Sequence, residues 1–184
     1  MSSSIAGIQV PDSAMAREIT ELVRDTASPL LFHHSSRVFY FAALAGQRLG
    51  LRYDSELLYA GCMFHDMGLT HQHSSDCCRF EVDGANAARD FLQRHGVDER
   101  DVERVWTAIA LHTTPGIPEH MHPLIALVTA GWRPMCWGCT TKGWKLPHGT
   151  PWSRRTRVGK GSRRRSFRRF TTASGTSRRP RLAT

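Results

Sequence analysis

The chain has 184 residues, and its net charge of +9 hides a division at Gly131: residues 1–131 hold all 16 acidic side chains and 10 of the 25 basic ones, whereas residues 132–184 hold 15 basic residues and no acid. The two parts carry −6 and +15, so a whole-chain pI near 10 does not license reading the protein as uniformly basic. The first part is long enough for one domain with its own core. Five cysteines, one inside an apolar helical pattern (Cys62), one adjacent pair (Cys77, Cys78) and one isolated CxxC (Cys136, Cys139), do not form a secreted disulfide framework. The CxxC lacks a second Cys or His pair at zinc-finger spacing. The N-terminus has no basic segment leading into a long apolar run, and no stretch reaches the length of a membrane span, so a cytoplasmic protein without membrane association is expected.

Residues 1–131 read as helix throughout, with no competing strand pattern. Asp12 or Ser13 caps a first helix carrying Ile19, Leu22 and Val23, which should end before Pro29 because the residue preceding a proline avoids the α region. A second helix is expected from about Ser35, with Val38, Phe41, Ala42 and Ala45 inward, to Gly50. Asp54 or Ser55 opens a third, whose apolar residues run directly into His65-Asp66, with Gly68 as its stop. A fourth spans Asp83 to His95, a fifth is capped by Asp98 and delivers His112 at its end, and a sixth runs from about Pro118 or Glu119 to Ala130. These elements predict an all-α bundle.

Chemistry collects at the predicted helix ends: His34 at the start of the second, His65-Asp66 at the end of the third, His112 at the end of the fifth. Imidazole and carboxylate suit zinc, iron or manganese, and a bundle core is where facing helices can converge such ligands. An adjacent His-Asp pair offers two donor types to one ion. A lone histidine at any of these places would more simply be a helix cap; three of them, one followed by Asp, favour a metal site.

The ordered set FHHSSRVFYFA, LLYAGCMFHDMGLT, RFEVDGANAARDFL and AIALHTTPGI resembles the HD-domain superfamily, and within it the branch similar to cyanamide hydratases, over roughly residues 28–131. The resemblance implies a helical fold holding a divalent metal (zinc, alternatively iron or manganese) through a first His, the His-Asp dyad and a later Asp. Residue by residue, His34, His65 and Asp66 match the first three ligands. Many two-metal relatives carry a further His four residues before the Gly-Ala of the next helix; here Phe80 stands four before Gly84, so a mononuclear site is implied. His112 and Asp66 are then the catalytic candidates, His112 handling a proton near the metal-activated water. Arg37, Glu81 and Asp83 are candidates for substrate binding, each with a plainer alternative: Arg37 pairs a carboxylate, Glu81 is a solvated loop charge and Asp83 is an N-cap.

The fourth ligand of that family belongs after Ala130, where the text changes and no Asp remains. The codon table offers a reason. Read one base earlier, Met135-Cys136 must give Val, Cys136-Trp137 must give Leu, Trp137-Gly138 must give Gly, and Trp144-Lys145 must give Glu. Pro134-Met135 permits Asp immediately before them, and the whole run can become GVEADVLGLHYEGLEAAAR, an amphipathic helical text whose aspartate is in register with Met135. Residues 132–184 are thus expected to be an irregular basic tail produced by a frameshift, leaving the HD domain truncated and its activity impaired. Taken at face value instead, Arg154-Arg155, Arg163-Arg164-Arg165, Arg168-Arg169 and Arg178-Arg179 form an arm that would bind nucleic acid through phosphate contacts, non-specifically unless a sequence preference is demonstrated.

The expected activity is metal-dependent addition of water to a small molecule, with a nitrile-like substrate such as cyanamide, hydrated to urea, favoured by the branch resemblance. Phosphomonoester or nucleotide hydrolysis is the alternative. It calls for cations around the phosphoryl oxygens, and residues 1–131 contain no Lys, with only Arg37 and Arg79 near the motifs.

Overall fold

The computed structural model describes residues 4–136. The Cys136–Cys139 pairing, the Arg runs and the irregular tail expected beyond residue 136 lie outside the described residues. No described helix is long and apolar enough to cross a membrane.

A two-residue-per-side ribbon comes first: β1 (Ser4–Ile5) pairs antiparallel with β2 (Ile8–Gln9) through a turn in which Ala6 and Gly7 both have positive φ. Six helices follow among the described residues, and the fold is all-α, as the periodicity predicts. α1 (Ala14–Thr26) starts at Ser13, whose hydroxyl accepts the Ala16 N–H, and buries Ala16, Ile19 and Val23.

α2 (Pro29–Leu49) begins six residues before the expected start. Pro29 both ends the preceding segment and occupies the first helical position, where its missing N–H costs nothing and its φ is already helical; Ser28 supplies the cap. His34 therefore lies in the second turn of α2, not at its beginning. The inward face also differs from expectation. Phe39, Ala42, Ala43 and Gly46 are buried with Val38, whereas Phe41 points outward and is 41% exposed.

α3 (Ser55–Phe64), capped by Asp54 through the Glu56 and Leu57 N–H groups, is the central element. All seven residues from Leu58 to Phe64 are buried, and the helix contacts α1, α2, α4 (Phe80–Arg94), α5 (Glu99–Ala110) and α6 (Pro123–Cys136). A helix apolar on every side has to be enclosed on every side. It ends at His65, and a 3₁₀ turn at Met67–Leu69 reverses the chain.

The start of α4 is fitted closely against that turn. A Cβ on Gly68 would lie 2.0 Å from the Phe80 carbonyl oxygen, and one on Gly84 would lie 2.8 Å from that of Phe64. α4 starts at Phe80 rather than Asp83, so Asp83 is not its N-cap; that place is held by Arg79, without a side-chain cap. α5 is capped by Asp98 as expected and packs along α4, with the Trp106 indole N–H donating to Asn86.

The expected sixth helix resolves into two pieces. Pro118–His120 is a single 3₁₀ turn, and α6 then runs through Gly131 to Cys136. α6 lies antiparallel on α2, with Gly46 near Leu127 and Gly131 against Val38 and Ala42. A Cβ at Gly131 would be 2.3 Å from the Val38 carbonyl oxygen, so the composition changes at a residue where the two helices cross almost backbone to backbone.

Candidate metal centre

Three helices deliver the side chains that the sequence singled out. His34 comes from the second turn of α2, His65 and Asp66 from the end of α3, and His112 from just beyond α5. His65 and His112 are fully buried, Asp66 is nearly so, and His34 is half-buried.

Both buried imidazoles are oriented by the same local device. The Nδ1–H of His65 donates to the Cys62 carbonyl at 2.8 Å, and that of His112 donates to the Ile109 carbonyl at 2.7 Å. Each histidine sits three residues past the carbonyl it uses, in the closing turn of a helix, and the Ile109 carbonyl accepts the backbone N–H of His112 as well. With Nδ1 bonded to a carbonyl, the Nε2 of each ring is the nitrogen turned toward the site, the atom an imidazole offers to a metal in this tautomer.

His34 Nε2 and His65 Nε2 are 3.2 Å apart, and Asp66 Oδ2 is 3.2 Å from the second and 3.4 Å from the first. Two ligands on a tetrahedral ion with bonds of about 2.0–2.1 Å are separated by roughly 3.3–3.4 Å. The three donors therefore already form one face of such a tetrahedron. Lone pairs and a carboxylate crowded together at this distance call for a cation between them, and a divalent metal fits the donor set. Among the described residues these three form the group able to hold one ion.

The electrostatics agree. Burial lowers the pKa of His34 below the ordinary histidine value, and the neighbouring His65 lowers it further against the opposing pull of Asp66, so His34 is neutral and competent as a ligand at neutral pH. Burial works against the charged form of Asp66, yet the adjacent His112 and His65 side chains outweigh it and hold the carboxyl far below the usual range.

His112 stands behind this triangle. Its Nε2 lies 3.5 Å from Asp66 Oδ1, beyond good hydrogen-bond length, and is buried without a hydrogen-bond partner. The ring is enclosed by His65, Phe80 and Trp132, with centroids 4.9, 5.8 and 5.9 Å away. An uncommitted nitrogen in this setting can accept or return a proton at the centre.

The other candidates separate. Arg37, exposed one turn from His34, is near enough that its charge contributes to the lowered His34 pKa. Glu81 is buried, taking two hydrogen bonds from the Arg79 guanidinium, at 2.6 and 3.2 Å, and one from Thr113 at 2.5 Å. Burial opposes its ionisation, but those donors hold its pKa below the usual glutamate value. It is therefore no solvated loop charge: it clamps the residue next to His112. Asp83, also buried, accepts from both the N–H and the hydroxyl of Ser75, pinning the loop before α4.

Thr113, Trp132 and the carbonyls of Cys62 and Ile109 were not singled out in the sequence. The carbonyls follow a local spacing, three residues before each histidine, that could have been found. Trp132 carries no such signal, since only the crossing of α6 over α2 brings it to His112. The family model for the HD domain matches residues 31–136. No curated protein matches the chain.

Proposed function

Because the chain belongs to the HD-domain family, whose members are in general metal-dependent hydrolases, we propose that its activity is addition of water to a small nitrile-like substrate such as cyanamide, at a single divalent ion. The observation that carries this reading is the triangle of His34 Nε2, His65 Nε2 and Asp66 Oδ2, with the unpartnered Nε2 of buried His112 beside it. When bound, a divalent ion supplies Lewis acidity, lowering the pKa of water from ~16 toward ~7 and polarising a substrate bond.

The remaining work falls to protein side chains. His112, fixed in the Nδ1–H form, accepts a proton at Nε2 from the attacking water and returns it to the developing product nitrogen. Asp66 is shared: one oxygen faces the two ligand histidines, the other faces His112, where it stabilises the imidazolium that forms. Phe80 and Trp132 shield His112 from solvent, which strengthens these interactions. Phe80 also occupies the position where two-metal relatives place a histidine, and this supports a mononuclear centre, with zinc as the proposed ion and iron or manganese as alternatives.

Phosphoryl transfer is less well provided for. Of the two arginines near the motifs, Arg79 is committed to Glu81, leaving Arg37 to meet an anionic substrate. Metal analysis of the purified chain, with parallel assays on cyanamide and on a phosphomonoester panel, tests the proposal. Urea formation that depends on added zinc supports it; phosphate release with no urea would replace it with the phosphohydrolase reading.

We also infer that the natural domain continues past residue 131 in the earlier reading frame, so that the basic tail binds nucleic acid only non-specifically. The helix pairing supports this. One turn along α6 from Gly131 is position 135, and one turn back along α2 from Val38 is His34, so an aspartate in register with Met135 would stand at the level of the first ligand. Sequencing the source nucleotides decides it: stop codons in the earlier frame across residues 132–184 would overturn the inference.

A further inference from the structure

The loop between the 3₁₀ turn and α4 carries two adjacent cysteines that the metal centre does not use. Cys77 and Cys78 are both exposed, with Sγ atoms 3.6 Å apart. Cys77 Sγ–H also donates to Ser75 Oγ at 3.7 Å, and Ser75 is itself held to the carboxylate of buried Asp83 by its N–H and its hydroxyl, each at 2.8 Å. One thiol is thus anchored on a loop pinned to α4, in contact with a second thiol on the next residue.

We propose that Cys77 and Cys78 form a redox-active vicinal dithiol, a modification site that reacts with small disulfides of the glutathione type. The Cys77 thiolate attacks one sulfur of the disulfide, forming a mixed disulfide and releasing one thiolate. Cys78 then loses its proton and attacks Cys77 Sγ, closing the Cys77–Cys78 bond and expelling the second thiolate. Two protein thiols are oxidised by two electrons, and one small disulfide is reduced to two thiols.

The division of roles follows the local contacts. The contact between the two sulfurs favours ionisation of one thiol over the other, lowering the Cys77 pKa and raising that of Cys78, which suits an attacking and a resolving partner. Cys62 provides an internal contrast: burial pushes its thiol out of the reactive range. The closed form is readily reversible. Neighbouring Cα atoms are about 3.8 Å apart, below the roughly 4.4–6.8 Å of ordinary disulfides, so the ring is strained and easily reduced.

The test uses the full chain carrying Cys136→Ser and Cys139→Ser, incubated with oxidised glutathione without denaturant, then alkylated and mapped by mass spectrometry. The peptide containing Cys77 and Cys78 is expected to lose two hydrogens, to take up no alkyl group, and to recover both thiols with dithiothreitol. Adding Cys78→Ser should halt the reaction at one glutathionyl adduct on Cys77, whereas Cys77→Ser should slow reaction at Cys78 by at least about ten-fold. Circular dichroism of each variant establishes that the helices are retained. Two thiols that stay alkylatable, equal rates in the two single variants, or a stable adduct on each cysteine would overturn the proposal.

Discussion

Asp66 touches three imidazoles, His34 and His65 through Oδ2 and His112 through Oδ1. Replacing it with Asn keeps the shape and removes the charge. Asp66→Asn should therefore bind zinc at least ~10–100-fold more weakly in competition with a chromogenic chelator, with its helical circular dichroism unchanged. A variant that keeps wild-type affinity would remove Asp66 from the ligand set. His34 determines the pH response of the same site. Its pKa is lowered, so its lone pair is open at neutral pH, and protons compete for it only as the pH falls through that lowered value. Zinc retention on equilibrium dialysis should be flat through neutral pH and decline on the acid side of the ordinary histidine range. The residues of this site were legible because His34, His65-Asp66 and His112 recur in a fixed order with helical text between them. Glu81 was not legible as a clamp, since its partner Thr113 lies far along the chain and nothing local marks the pair.

At the scale of elements, close helix contact rests on residues without side chains. Gly131→Ala places a Cβ against the Val38 carbonyl oxygen and Ala42, and this overpacking should cost about 1–3 kcal/mol in urea unfolding. An unchanged midpoint would mean that α6 can lift off α2 freely. A second contact ties α4 to α1: His95 donates through Nδ1 to the Phe91 carbonyl and through Nε2 to Glu18, both at under 3 Å. Those bonds raise the His95 pKa above its ordinary 6.5. The stabilisation is fully present below the unfolded value and is lost as pH rises through the folded one. His95→Gln should remove that alkaline decline in melting temperature and leave the rest of the pH profile in place. Element boundaries were less legible than element types. Pro29 and Pro123 were each available as first helical residues, but a proline in a string equally well ends the preceding element, and packing decides which use prevails.

For the whole molecule, the aspartate proposed in register with Met135 would be a fourth donor to the centre. Met135→Asp should raise zinc affinity by on the order of 10–100-fold over the parent chain, measured by chelator competition, if α6 keeps its antiparallel course along α2. No gain would remove position 135 from the proposed ligand set. Local chemistry in the chain was enough for the helical class, for the Asp98 cap, for narrowing two other caps to Asp12 or Ser13 and to Asp54 or Ser55, for marking His34, His65 and Asp66 as candidate ligands, and for the change in text at Gly131, because each depends on neighbours within a turn or two. Only the folded molecule decided that the donors form a triangle with edges of 3.2–3.4 Å, that Trp132 and Phe80 close over His112, and that Gly131 is a helix crossing. Those relations join residues tens of positions apart, and they exist only once the all-apolar α3 has drawn the other helices around itself.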